Sequence, residues 1–176
     1  MTLYLYEISP LRNDRTEADR AIKELDSVIH SHGGQLIEAQ VAGTAQRIFA
    51  IAEFDSCQAP DLDSATFAVA QANGPHPVRL VGADLSTLKA ARPAAGYLVE
   101  WDLPDELDMD TYLARKKAKS PKYAEVPEVT FLRTYVREDM DKCLCFYDAP
   151  DENAVRRARE AVTTPIDRLH RLDQQP

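Results

Sequence analysis

The sequence predicts an α+β fold: two tandem ferredoxin-like βαββαβ sandwiches, spanning residues 1–88 and 96–176, packed through their sheets as a pseudo-dimer of the dimeric α+β barrel kind. Three observations predict it. Tyr4-Leu5-Tyr6-Glu7-Ile8 returns 93 residues later as Tyr97-Leu98-Val99-Glu100-Trp101. Each copy opens a run of patterns that reads strand, helix, strand, strand, helix, strand. An Ala-Pro-Asp then introduces the second helix of each run, as Ala59-Pro60-Asp61 and Ala149-Pro150-Asp151.

In the first copy Leu3–Ile8 alternates as a strand. Thr16-Glu17-Ala18-Asp19 reads as a capping box, and Ala18, Ala21, Ile22, Leu25, Val28 and Ile29 form one helical stripe. Gly33-Gly34 ends that helix, because glycine adopts the left-handed conformation of a C-terminal cap without steric cost. Gln35–Val41 and Arg47–Phe54 read as strands joined by a turn at Gly43. Asp61–Ala72 is expected as a second helix and Pro77–Leu85 as the last strand. A short linker, Lys89–Ala95, leads to the second copy. There the expected order is strand Gly96–Leu103, helix Asp108–Ser120, strands Pro127–Val136 and Lys142–Tyr147, helix Asp151–Val162 and strand Ile166–Leu172.

The formal charge of −8 and a pI near 5.0 argue against a nucleic-acid backbone as the main partner. No apolar run approaches the ~20 residues that span a bilayer, and no signal-peptide pattern opens the chain. Three cysteines make no disulfide framework, and reduced thiols in the cytoplasm are the expectation. A fused pair already carries dimer-like pseudo-symmetry, with further homo-oligomerisation compatible with it.

Strand alternation sorts the second copy's side chains into two faces. Tyr97, Val99, Trp101 and Leu103 are expected beneath the helices, with Leu132, Val136, Leu144, Phe146 and Leu169. The opposite, open face then collects Glu100, Phe131, Arg133, Tyr135, Cys143, Cys145, Tyr147, Arg168 and His170. A carboxylate, cations, phenols, thiols and an imidazole on one surface must pair with one another or bind something, since buried unpaired polar groups are costly. The first copy offers Glu7 at the position of Glu100, and Glu38, but no matching thiol or histidine.

Two chemistries fit that face. Thiolate, imidazole and carboxylate donors from Cys145, His170 and Glu100 suit nickel, zinc or another divalent transition metal. Alternatively, Glu100 and Tyr135 act as base and acid on a small molecule, with Arg133, Tyr147 and Glu7 binding it. The basic run Arg115-Lys116-Lys117-Ala118-Lys119, with Lys122, reads as a solvated helix end or as an attractor of anions. His30-Ser31-His32 reads as imidazoles at a helix C-terminus. No phosphate loop, dinucleotide fingerprint or nucleophile elbow is present.

Several stretches carry a resemblance: Tyr97-Leu98-Val99-Glu100, Thr134-Tyr135-Val136, the run from Asp141 through Cys143, Cys145 and Pro150 to Arg156, and Pro165-Ile166-Asp167-Arg168-Leu169. Over residues 97–172 the chain resembles a bacterial family of domains of unknown function that includes a small nickel-binding ferredoxin-like protein. It departs from the family pattern at Thr163-Thr164-Pro165, where Gly-Leu-Pro is usual. The resemblance implies a ferredoxin-like fold and divalent-metal binding. The leading expectation is therefore a cytoplasmic nickel-like metal-binding protein with its site between the sheets, and the alternative a small-molecule enzyme or ligand-binding protein.

Overall fold

The computed structural model describes residues 1–55, 58–63, 66–91 and 94–173. Among them the chain forms eight strands, four α-helices and one 3₁₀ helix, an α+β composition in which the strand pairs are antiparallel. No helix among these residues is long and apolar enough to cross a membrane. The chain divides into two compact units, Met1–Val78 with Ser86–Arg92 and Leu172–Pro176, and Arg79–Leu85 with Pro93–Arg171.

Unit 1 is built on β1 (Thr2–Ser9), α1 (Arg15–Ser31), β2 (Gly34–Ala42), β3 (Arg47–Phe54), most of β4 (Gln71–Val81) and α2 (Leu85–Ala91). β1 lies between β3 and β4, and β3 pairs with β2. The amphipathic stripe of α1 covers one face of this sheet. Ala18, Ala21, Leu25 and Ile29 bury against Tyr4, Tyr6, Ile8, Ala50 and Phe54. The helix starts earlier than Thr16: Asp14 is the N-cap, and its carboxylate accepts from the Glu17 amide at 2.8 Å. Gly33, at φ +77°, ends it.

The first copy departs from the expected order. Of Asp61–Ala72, residues 61–63 are irregular, 66–68 form a turn and a strand begins at Gln71; Ser64 and Ala65 lie outside the described residues. A Phe67 N–H···O=C Asp63 bond of 2.8 Å closes that turn. The cause is downstream. Pro77 holds His76 extended, and β4 pairs with β1 from Gln71 onward, six residues before Pro77, so the ladder takes up the end of the expected helix. Phe67 and Val69 still enter the core, but from a turn. The short α2 then stands where the last strand was expected to end and the linker to begin.

Unit 2 keeps the βαββαβ order: β5 (Tyr97–Asp102), α3 (Met109–Lys119), a 3₁₀ helix (Ser120–Glu125), β6 (Thr130–Arg137), β7 (Lys142–Asp148), α4 (Glu152–Ala161) and β8 (Arg168–Asp173), whose last two residues belong to unit 1. Within it, β8 pairs with β5, β5 with β7 and β7 with β6. Asp108 and Asp151 cap α3 and α4 by accepting from Thr111 and Ala154 amides at 2.7 and 2.8 Å, so the Ala149-Pro150-Asp151 start of α4 holds. Tyr97, Val99, Trp101 and Leu103 pack with Tyr112, Ala154, Val155 and Ala158 of the helices, as alternation predicts.

Two of the expected face assignments in unit 2 are overturned. Cys143, Cys145 and Tyr147 lie on the helix side, and Leu144 and Phe146 on the other. Register decides it: Tyr97, Val99 and Trp101 stand opposite Tyr147, Cys145 and Cys143, and directly opposed residues share a face. Both sets are buried, so hydrophobicity does not discriminate between them. A β-bulge between Phe131 and Arg133, with Phe131 opposite Tyr147 and Arg133 opposite Phe146, makes Leu132 the extra residue. It returns Phe131 to the helix side, where its ring stacks on Tyr123 with centroids 5.5 Å apart.

Candidate functional site

Unit 2 carries polar chemistry on both faces of its sheet. On the face away from the helices Glu100 is fully buried. Lys142 Nζ donates to its Oε1 at 2.8 Å, Arg168 Nε donates to Oε2 at 2.8 Å, and His170 Nε2 lies 2.7 Å from the same oxygen. Arg168 also pairs bidentately with Asp102. β5 supplies the carboxylates, while β7 and β8 supply the basic groups from positions directly opposite or one step along the ladder. Burial alone raises the Glu100 pKa; the hydrogen bonds from His170, Lys142 and Arg168 outweigh it and hold the carboxyl well below its usual range. A carboxylate so stabilised is a weak base, which counts against a proton-abstracting role. Arg133 and Tyr135 are buried on this face, the guanidinium 4.8 Å and the phenol ring 5.8 Å from the Phe146 ring.

The expected metal set is split. Glu100 and His170 touch, but Cys145 sits on the opposite face, and both Glu100 oxygens already accept from cations. No group of three or more His, Cys, Asp or Glu among the described residues can hold a metal ion. The donor set Glu100–Cys145–His170 therefore does not fit a metal centre in this unit. Tyr147 also lies on the helix side, away from Arg133 and Tyr135. Glu7 and Glu38 belong to unit 1, on β1 and β2.

The helix side holds the second constellation. A cavity of about 30 Å³ lies against the helices α3 and α4, with Cys145 in its wall. That is room for one or two water-sized molecules. Cys145 Sγ accepts from Thr134 Oγ1 at 3.2 Å and from Arg159 Nη1 at 3.5 Å, and is 3.9 Å from Cys143 Sγ. Arg159 is 3% exposed. It donates further to Tyr147 Oη at 3.1 Å and to the Pro165 carbonyl at 2.5 Å, and its Nε has no hydrogen-bond partner among the described residues. Tyr147 Oη in turn meets Tyr123 Oη at 2.7 Å. The basic run is more than a solvated helix end. Arg115 and Lys119 donate to Thr163 at 2.6 and 2.7 Å, Lys116 stands 4.2 Å over the Phe131 ring, and all three line the cavity.

Electrostatics separates the two thiols. The hydrogen bond from Cys143 lowers the Cys145 pKa most, burial opposes it, and Lys116, Arg159 and Thr134 add to the lowering; the net shift is well downward. Cys143 moves well upward, through its bond to Cys145 and burial. Burial pushes Tyr123 up to about 12 and Tyr147 well above its usual range. Alternation in the sequence brings Cys145 and Tyr147 to one face but offers no route to Arg159. Its signal is a lone arginine on the buried stripe of α4, between Ala158 and Val162, where a charge is out of place.

Residues 97–172 match the model of the family described as "Nickel responsive protein SCO4226-like". The match covers unit 2 from the start of β5 into β8. Over the whole chain, the structure is similar to the solved "Crystal structure of Putative Chlorite dismutase TA0507", with a TM-score of 0.53 and 15% sequence identity, covering 99% of this chain and 96% of that one. At that identity the likeness bears on fold alone. No curated protein matches.

Proposed function

We propose that the chain is a small-molecule-binding protein that works through a thiolate at Cys145, in the cavity between the sheet of unit 2 and its helices. One observation carries this reading: Arg159 is a buried guanidinium whose hydrogen-bond partners among the described residues include no carboxylate. A buried charge without a counter-charge costs several kcal/mol, and the group beside it able to become an anion near neutral pH is the Cys145 thiol. Thr134 donates to the same sulfur, as it does best to a thiolate. Arg115, Lys116 and Lys119 around the cavity reinforce the anion and favour negatively charged or electron-rich ligands. The volume limits occupants to a few heavy atoms. The test is the ultraviolet thiolate absorbance followed against pH, in the wild type and in Cys145→Ser. The wild type should show one thiolate forming well below the ordinary cysteine range near 8.5, absent from the variant. Titration of every thiol near 8.5 would overturn the reading.

The family match supports a second reading, divalent-metal binding, with nickel as the candidate ion and His170 and Glu100 as nitrogen and oxygen donors. In that reading Glu100 exchanges its bonds to Lys142 and Arg168 for the ion. Metal analysis and calorimetry on tag-free protein test it. One nickel per chain, lost in His170→Ala, supports it, and no binding of nickel or zinc removes it.

A further inference from the structure

We propose that Cys145 is the site of reaction with small hydroperoxides and that Cys143 is the thiol that completes the reaction. The inference rests on the thiolate reading above and adds to it a substrate class and a second reacting residue. Its geometry is that of a two-thiol redox site. Cys145 Sγ reaches a cavity of about 30 Å³, enough for hydrogen peroxide or a short alkyl hydroperoxide and too small for a bulkier electrophile. Arg159 Nη1 and Thr134 Oγ1 donate to the sulfur at 3.5 and 3.2 Å. The second sulfur waits 3.9 Å away, and its upward shift keeps that thiol protonated.

The chemistry balances with a hydroperoxide as the only oxidant. The Cys145 thiolate attacks one peroxide oxygen; an S–O bond forms and the O–O bond breaks. The leaving hydroxide or alkoxide, produced among Arg159 and Lys116, takes a proton from solvent and departs as water or alcohol. Sulfur has lost two electrons and become a sulfenic acid, and the peroxide has gained them. The Cys143 thiol then attacks the sulfenic sulfur. An S–S bond forms, the S–O bond breaks, and the hydroxyl leaves as water with the Cys143 proton.

The strand places a constraint on the product. Residues two apart on a strand have Cα atoms about 6.8 Å apart, at the outer end of the range a disulfide spans. The Cys143–Cys145 disulfide is therefore strained and readily reduced by a dithiol. Such a pair suits a reversible cycle better than a permanent cross-link.

The experiment uses the full chain carrying Cys57→Ser, so that only the pair remains, with hydrogen peroxide as the probe. After a short pulse the protein is denatured, alkylated and weighed intact. One equivalent of peroxide at neutral pH should remove two hydrogens and both alkylation sites. Adding Cys143→Ser should instead leave a sulfenic acid that dimedone traps at residue 145. Arg159→Met and, as a milder change, Thr134→Val should each slow oxidation by roughly tenfold or more, through loss of a charge-assisted bond to the sulfur. Oxidation of Cys145 no faster than that of free cysteine, or a disulfide that forms as fast in Arg159→Met and Thr134→Val as in the parent protein, overturns the proposal. A Cys145 that titrates low yet ignores peroxide sinks this inference and leaves the thiolate reading standing; ordinary titration sinks both.

Discussion

Replacing Glu100 with Gln preserves shape and removes one charge, and the structure fixes what that removal does. Glu100 is 0% exposed, and its partner Lys142 is buried along with it. Arg168 keeps its bidentate pair with Asp102, and the His170 side chain is one-fifth exposed. The group that loses most is therefore Lys142, the buried donor to Oε1, and breaking a buried ion pair by removing one partner costs about 3–5 kcal/mol. Lys142→Met is the informative counterpart. It leaves Glu100 with Arg168 and His170, so the loss is that of one charge-assisted bond, about 1.5–3 kcal/mol. In the double variant the buried cation is gone as well, and its stability should return toward that of Lys142→Met alone. For a chain of this size each kcal/mol moves the Tm by about 2–4 °C, so Glu100→Gln should lower it by roughly 6–20 °C. Urea unfolding and scanning calorimetry on the three variants read these values. A Glu100→Gln loss under about 1 kcal/mol, or one no larger than that of Lys142→Met, would refute the ion-network account. If turnover of a small molecule were found and abolished at unchanged stability, Glu100 would be a catalytic group after all.

The same carboxylate sets an acid limit. Its folded pKa is depressed, so the stability it contributes is fully present above the unfolded-state value of 4.5 and is lost as pH falls toward the folded value. Between those limits the gap between wild type and Glu100→Gln should close by up to about 1.4 kcal/mol per pH unit, read from urea midpoints at each pH. Asp151→Ala removes the cap on α4 and should cost about 1 kcal/mol in chemical denaturation, with Asn restoring most of it. Gly82→Ala places a methyl 2.6 Å from the Phe131 ring at φ +85°. It should destabilise unit 2 by about 1–3 kcal/mol and shift the ring spectrum of Tyr123, which stacks on Phe131.

Unit 2 was far more legible in the sequence than unit 1, for identifiable reasons. Aspartates 108 and 151 announce their helices, and Tyr97, Val99 and Trp101 announce a covered face by size. Asp61–Ala72 misleads because its apolar spacing fits a helix, while the pairing with β1 that draws the chain into a strand from Gln71 is made with a distant segment. The side assigned to the cysteines misleads for a different cause. Leu144 and Phe146 are more apolar than Cys143 and Cys145, and on a strand buried on both faces that difference carries no direction. Only the register with β5, and the extra residue at Leu132, fix which way each side chain points. Both are properties of pairing between segments distant in the chain, and neither leaves a local trace.

Register also explains why the thiol chemistry belongs to unit 2. Tyr4, Tyr6 and Ile8 on β1 stand opposite Ala52, Ala50 and Ile48, and this set packs against α1. Tyr97, Val99 and Trp101 on β5 stand opposite Tyr147, Cys145 and Cys143 and pack against α3 and α4. The repeated Tyr-Leu-x-Glu motif thus starts the same alternation in both units, with Glu7 and Glu100 facing away from the helices. The residues opposite are where the units part. Where unit 2 carries two thiols and a phenol, unit 1 carries one isoleucine and two alanines, which pack but neither ionise nor react. The buried arginine follows the same division. α4 sets Arg159 beside Cys145 and Tyr147, whereas the buried stripe of α1 is Ala18, Ala21, Leu25 and Ile29. Among the described residues that stripe packs against aliphatic side chains, Phe54 and the rings of Tyr4 and Tyr6, with no thiol beside it. The cation and the thiol support each other: Tyr147 and Cys145 both favour the Arg159 charge, and Arg159 adds to the lowering that the Cys143 hydrogen bond and Lys116 exert on Cys145.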